Sequence, residues 1–500
     1  MKDAVRGLLK RRKKPNPGKT GSVEGDVLVE ELRGALSIDR VKNDAAQRTL
    51  LSHDASVYTG GNAGPVCYPI STDEVKSIME IAERHGRSVV PRGAGTGITG
   101  GAVPMDEPVM IALNKMNRVL EIDAENRVAW VEAGVVNLEL TKKIRPMGLH
   151  FAPDPSSQSV CTIGGNVANN AGGPHCLAYG VTGAHILAIE VVLPGGNVVM
   201  LGGVEPEPPG YDLRGAFIGS EGTLGIATRI AVLLTPNPPE VRTLLLAFDK
   251  PTEAAAAVSA IIAAGIVPAA LELMDQQITV AVENFINAGY PTDAGAILLA
   301  EVDGLAETVD VEVEEISRIA QENRAMSVRV AADEAERVAL WKGRKHAFGA
   351  IAQIAPDYYL HDTVVPRSAL ATVLEQLYDI AERYELAVLN VFHAGDGNLH
   401  PILSFDAREP GVMERVHAAG AEIVEASIAA GGVLSGEHGI GLEKQKFMHL
   451  LFSDDDLDHQ NRLRTSFDPH CRTNPGKIMP IGHSCADVAS LRAMPKGVWG

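Results

Sequence analysis

Three glycine-rich segments between residues 91 and 225 constrain this chain more than any other feature. The first reads Pro91-Arg92-Gly93-Ala94-Gly95-Thr96-Gly97-Ile98-Thr99-Gly100-Gly101 and follows the β-run Ser88 to Pro91. Glycine at that density leaves backbone N–H groups free to close around an anion such as a phosphate. Its G-x-G invites a Rossmann reading, but that fingerprint must open a helix, and Gly100-Gly101-Ala102-Val103-Pro104 does not. The loop also lacks the G-K-[ST] of a Walker A motif. Taken alone, it does not distinguish a phosphate cradle from a run of tight turns.

The second segment joins Pro153-Asp154-Pro155-Ser156-Ser157-Gln158 to Thr162-Ile163-Gly164-Gly165-Asn166-Val167-Ala168-Asn169-Asn170-Ala171-Gly172-Gly173. Its small residues, amides and hydroxyls suit close backbone contact with a planar heteroaromatic ligand and a pyrophosphate, which neutral donors can hold without lysines. The third is Gly219-Ser220-Glu221-Gly222-Thr223-Leu224-Gly225, entering a strand. The three together outweigh any one of them.

Around these loops, residues 26–235 read as helices near 26–36 and 75–85, then short strands and glycine turns. Ile186 to Leu193 and Val198 to Leu201 flank a hairpin signal, Pro194-Gly195-Gly196-Asn197. Thr235-Pro236-Asn237-Pro238-Pro239 marks a boundary. Beyond it strands and helices alternate, with strands at 243–248, 269–274, 296–302 and 327–330 and helices at 251–264, 306–321 and 333–354. That rhythm predicts an α+β, ferredoxin-like second domain over 236–480. Residues 481–500 are left as a tail.

Charge narrows the partners. With 45 basic against 63 acidic residues the net charge is −18, which argues against nucleic acid. Residues 1–25 form a basic extension that reads as solvated, with eight Lys or Arg before residue 20. No apolar run approaches the roughly 18 residues of a transmembrane span. The five cysteines never form C-x-x-C, so neither an iron–sulfur site nor a disulfide framework is legible, and a reducing cytoplasm fits best.

The ionisable chemistry lies late in the chain. His393-Ala394-Gly395-Asp396-Gly397-Asn398-Leu399-His400 follows a strand, and Gly436-Glu437-His438-Gly439 comes about forty residues on. Imidazole and carboxylate are groups that zinc or manganese accepts, and Asp396 is placed to orient a ligand histidine. Spacing does not show that the two stretches meet, and one pair of loop histidines is more often structural.

The motifs PRGAGTGITGGAVP, PDPSSQ, TIGGNVANNAGG, YGVTG and GSEGTLG resemble the FAD-binding domain of the vanillyl-alcohol oxidase superfamily, and most closely its D-2-hydroxyacid dehydrogenase branch. The resemblance covers about residues 50–480. It implies an α+β fold: a two-subdomain FAD-binding domain over 26–235 and a ferredoxin-like substrate (cap) domain whose last part returns to it. It places noncovalent FAD against Arg92, Gly93, Ala94, Gly95, Thr96 and Gly97. Further FAD contacts are implied at Pro153, Asp154, Ser157, Gly164, Gly165, Asn170, Gly172, Glu221, Gly222 and Ile226. His393, His400 and Glu437 correspond to ligands of a divalent metal, zinc or manganese, and His438 to a substrate-contacting histidine. Arg344, in Leu340-Trp341-Lys342-Gly343-Arg344, corresponds to a carboxylate-binding arginine, although a solvated helix face is the plainer reading.

Two departures bear on substrate. Leu360 stands where hydroxyglutarate dehydrogenases offer lysine, and Ile402 where they carry asparagine. The expected reaction is therefore oxidation of a small 2-hydroxyacid, glycolate or D-lactate, with D-2-hydroxyglutarate as the alternative. Alkyl-dihydroxyacetone-phosphate synthase is a non-redox rival. A metal hydrolase would leave the glycine loops unexplained, and a non-catalytic assembly subunit would not need both motif sets complete. The resemblance also implies a separate iron–sulfur subunit and a quinone, with room for oligomerisation and for peripheral association at the inner face of a membrane.

Overall fold

The structure, a computed structural model, describes residues 27–58, 60–205 and 209–480. The basic extension and the tail lie outside the described residues.

The N-terminal part holds two sheets. In the first, strand Val109–Ala112 runs parallel to Val66–Cys67 on one side and to Val89–Arg92 on the other. The first glycine loop thus springs from the carboxyl end of a parallel strand, where open α/β sheets place ligands. The second sheet is antiparallel, in the order 119–123, 128–132, 226–233, 186–192, 198–202. The last two strands are the expected hairpin. Helix Thr72–Arg84 begins where the Ser71 hydroxyl accepts from Glu74 N–H, and it buries Val75, Ile78, Met79 and Ala82 at helical spacing. The glycine-rich run after residue 162 also makes a short helix, Ile163–Asn169. Thr162 caps its start, and Asn170 at φ 50° ends it.

In the C-terminal part, strands 240–248, 270–275, 296–304 and 327–330 stand in spatial order fourth, first, third, second, the ferredoxin-like arrangement. Strand Glu240–Phe248 sends Leu244, Leu246 and Phe248 to one helix layer and Leu245 and Ala247 to the other, as the two-residue period requires. The sheet continues through 387–393 and 401–405 to 357–360.

Three local expectations are corrected. The helix expected over 333–354 is two, Glu334–Lys345 and Ala347–Ile351, broken at His346, where φ −100° and ψ 4° are not helical. Residues 276–286 form a helix capped by Asp275, which the pattern did not signal. Cys67, Cys161 and Cys176 are free thiols, whereas Cys471 is disulfide-bonded, contrary to the cysteine reading.

Residues 472–477 pack back on the first sheet. Val89 N–H donates to Arg472 O, Asn474 N–H donates to Val89 O, and buried Lys477 donates to Val103 O.

Candidate active site

A single cavity is lined on one side by all three glycine segments and on the other by Lys345, Phe348, Tyr358, Tyr359 and Leu360. His400, Glu437 and His438 form part of the same wall. Each glycine segment also grips the loop carrying His438. Thr99 Oγ1 and Asn169 Nδ2 donate to His438 O at 3.2 and 3.0 Å. Glu221 accepts from Ile440 N–H at 2.7 Å and Gly441 N–H at 2.9 Å. Burial pushes the Glu221 carboxyl up, and those amides oppose the shift.

Two glycines of the first loop leave no room for a side chain. Gly95 has φ +74°, and a Cβ there would lie 2.1 Å from Arg92 Nη2. At Gly93 a Cβ would lie 2.4 Å from Thr162 Oγ1. Arg92 Nη1 donates to His53 O at 2.7 Å, which ties the start of the loop to the segment around residue 53. Of the expected flavin contacts, Arg92, Gly93, Ala94, Gly95, Thr96, Gly97, Ser157, Gly164, Gly165, Glu221, Gly222 and Ile226 line the cavity. Pro153, Asp154, Asn170 and Gly172 are not among the lining residues. Pro153 O accepts from Asn137 Nδ2, and Asp154 pairs with His175 at 2.8 Å. Asn170 Oδ1 accepts from Gly183 N–H, and Gly172 leaves room for Glu437, whose Oε2 would be 2.9 Å from an added Cβ.

The two histidine stretches do meet. Glu437 Oε1 lies 3.2 Å from His393 Nε2, 3.3 Å from His400 Nε2 and 3.5 Å from His438 Nε2. His400 stacks on His438 at 4.9 Å between centroids. Both ring nitrogens of buried His400 lack hydrogen-bond partners, which is costly unless a further group is bound. Burial and the neighbouring His438 hold the His400 pKa well down, so the ring is neutral and free to ligate. Burial disfavours charge on His393 and Glu437 too, but Glu272 and then Glu437 outweigh it on the histidine, raising its pKa, while His393 and His438 outweigh it on the glutamate, lowering its pKa. Two imidazole nitrogens and a carboxylate oxygen within 4.8 Å of one another match the donors of zinc or manganese.

Two carboxylates that the sequence reading passed over organise this cluster. Glu272 accepts from His393 Nδ1 at 2.7 Å, fixing the ring so that Nε2 faces Glu437. That is the part expected of Asp396, whose Oδ1 instead accepts from Asn398 N–H and whose pKa burial raises to about 6. Asp362 accepts from Ser435 Oγ, Gly436 N–H, His438 N–H and Lys444 Nζ, and lies 3.7 Å from His438 Nδ1. A glutamate inside the apolar strand Ala270–Asp275 was the available signal, because a buried charge needs a partner.

Arg344 is neither on a solvated face nor on the cavity wall. It is 1% exposed, and its Nε and Nη2 lie 2.7 and 2.6 Å from Glu272 Oε2.

Fold and site together define a two-part flavoprotein oxidoreductase. Residues 64–202 match the FAD binding domain family, and residues 237–478 match the C-terminal domain of FAD linked oxidases. The chain is 46% identical over 426 residues, 85% of each chain, to glycolate oxidase subunit GlcD of Escherichia coli. It is 33% identical to D-lactate dehydrogenase of Anaerostipes hadrus, covering 88% of this chain and 96% of that one. p-Cresol methylhydroxylase shares the fold at TM-score 0.77 and 17% identity, over 91% of this chain and 96% of that one. This chain belongs to the FAD-linked oxidase family.

Proposed function

We propose that the protein oxidises a small 2-hydroxyacid, glycolate to glyoxylate or D-lactate to pyruvate, using noncovalent FAD. The observation that carries the reading is the grip of all three glycine segments on the His438 loop, which puts imidazoles and a carboxylate on the flavin cavity wall. Such a wall serves a substrate that must lose a proton as it loses a hydride.

Bound FAD supplies the hydride acceptor at N5. A divalent metal held by His393, His400 and Glu437 would lower the pKa of the substrate hydroxyl. His438 is the group that receives the hydroxyl proton. Burial disfavours its charged form, but Asp362 and Glu437 outweigh burial and raise its pKa, so the imidazolium is stabilised once formed. Asp362 holds the His438 backbone, and Glu272 holds His393. Leu360 on the wall offers nothing polar to a second carboxylate, which favours a monocarboxylate over D-2-hydroxyglutarate.

Electrons then leave for an acceptor other than oxygen. An iron–sulfur subunit and a quinone complete the reading, in keeping with the word subunit in the name of the Escherichia coli relative. No helix among the described residues is long and apolar enough to cross a membrane. Steady-state assay of the flavin-loaded protein with a dye acceptor tests the reading: turnover of glycolate or D-lactate supports it, and turnover of neither refutes it.

A further inference from the structure

We infer that His175 is a positioning residue for the donor cluster: from the FAD-binding half of the chain it anchors the helix Glu334–Lys345, which braces His393. The inference rests on the reading of this cavity as a hydroxyacid site.

One face of the C-terminal sheet carries a polar row. Thr243 and Ala270 both stand opposite Glu301, and Glu272, two residues along the strand from Ala270, stands opposite His393. Directly opposed residues, and residues two apart on one strand, share a face. Thr243, Glu301, Glu272 and His393 therefore line up across four adjacent strands, ending at the donor cluster. An apolar interior tolerates such a row only where each charge is paired. The helix Glu334–Lys345 supplies partners at i, i+4 and i+7, one stripe of its surface. Arg337 Nη1 and Trp341 Nε1 both donate to Glu301 Oε2. Arg344 Nε donates to Glu272 Oε2 at 2.7 Å, and its buried Nη2 is left without a hydrogen-bond partner. Glu272 Oε1 in turn accepts from His393 Nδ1.

His175 enters this row from the other half, two positions after the second glycine segment ends. Its Nδ1 pairs with Asp154, and its Nε2 lies 3.2 Å from Glu301 Oε1. The ring also lies against Trp341, 5.5 Å between centroids. Burial disfavours the imidazolium, but the two carboxylates outweigh it and raise the pKa to about 10. A cation from the FAD-binding half thus clamps the same glutamate and the same tryptophan that seat the helix. Without it, Glu301 loses its tie to the glycine segment, and the helix carrying Arg344 is free to shift against Glu272. The carboxylate that orients His393 then loses its own brace.

The test reads metal binding apart from turnover. Metal-stripped, FAD-loaded protein is titrated with manganese(II), and anaerobic flavin reduction by glycolate and D-lactate is timed on the metal-replete protein. His175→Ala should weaken manganese binding about fivefold, short of the roughly 10–100-fold that follows loss of a ligand histidine's own partner. It should also slow flavin reduction, with FAD content unchanged. Trp341→Phe, which keeps a ring but loses the N–H, should move both readouts the same way. Tyr179→Phe is the control: Tyr179 donates to Asp303, a contact between the same two halves but outside the row, so both readouts should stay at wild-type values. Wild-type manganese affinity in His175→Ala, or in Trp341→Phe where His175→Ala does not fold, overturns the assignment. So does an equal loss in Tyr179→Phe. If manganese binding follows His175 while neither hydroxyacid reduces the wild-type flavin, the positioning role stands and the hydroxyacid reading falls.

Discussion

Leu360 and Ile402 stand directly opposite each other across the antiparallel strands 357–360 and 401–405, but only Leu360 reaches the cavity wall. Ile402 is 0% exposed inside the apolar cluster formed with Met274, Leu389 and Val391. Of the two positions marked as lost polar handles, one therefore fronts the substrate and the other fills the core. Leu360→Lys should raise kcat/KM for D-2-hydroxyglutarate relative to glycolate by about tenfold. An unchanged ratio in the dye-acceptor assay would remove Leu360 from substrate selection. Ile402→Asn should instead cost about 3 kcal/mol of stability without changing that ratio, as a denaturant titration would show.

Gly95 should not tolerate a branched side chain. Its φ of +74° strains any β-branched residue, and the new Cβ would collide with the Arg92 guanidinium. Gly95→Val should lose most of its flavin on desalting. Full flavin absorbance afterwards would mean that this loop does not hold the cofactor.

Removing a donor from the cluster should separate metal from flavin. His393→Ala and His400→Ala should abolish turnover and lower bound divalent metal, while FAD stays, because neither side chain supports a glycine loop. Glu272→Gln should weaken metal binding about 10–100-fold, the usual effect of removing a partner that orients a ligand histidine. Elemental analysis against flavin absorbance reads both, and metal retained at wild-type level in His400→Ala would contradict the donor set.

The sequence made the flavin side far more legible than the buried charges. Glycine loops announce themselves because close backbone packing forbids side chains, and Gly93, Gly95, Gly164 and Gly222 line the cavity. The contact of Arg344 with Glu272 was not legible because it joins residues 72 positions apart, a pairing that no local spacing encodes. Asp362 escaped for the same reason, since its donors come from residues 435–444. Ile402 was read from motif position alone, which does not tell a cavity wall from a core.

A charged lock joins the two halves of the molecule and should shape pH stability. His175 bridges Asp154 and Glu301 at 2.8 and 3.2 Å. Burial alone would lower its pKa, but the two carboxylates outweigh burial and raise it to about 10. Glu301 is likewise disfavoured by burial, yet His175, Thr243 and Arg337 bring it down to about 2. The histidine's contribution is therefore complete below its ordinary value of 6.5 and lost as pH climbs through about 10. The glutamate's is complete above its ordinary 4.5 and lost as pH falls through about 2. His175→Gln should cost about 3 kcal/mol at neutral pH and flatten the alkaline limb of a Tm-against-pH profile. An alkaline limb as steep as the wild type's would show that this bridge does not govern it.

The most direct test of the account is anaerobic reduction of the bound flavin by substrate alone. Glycolate or D-lactate should bleach the visible flavin band of the wild-type protein, and the same acid should leave the band intact in His400→Ala and after chelation. A wild-type flavin that stays oxidised with both acids, or bleaching that survives in His400→Ala, would contradict it.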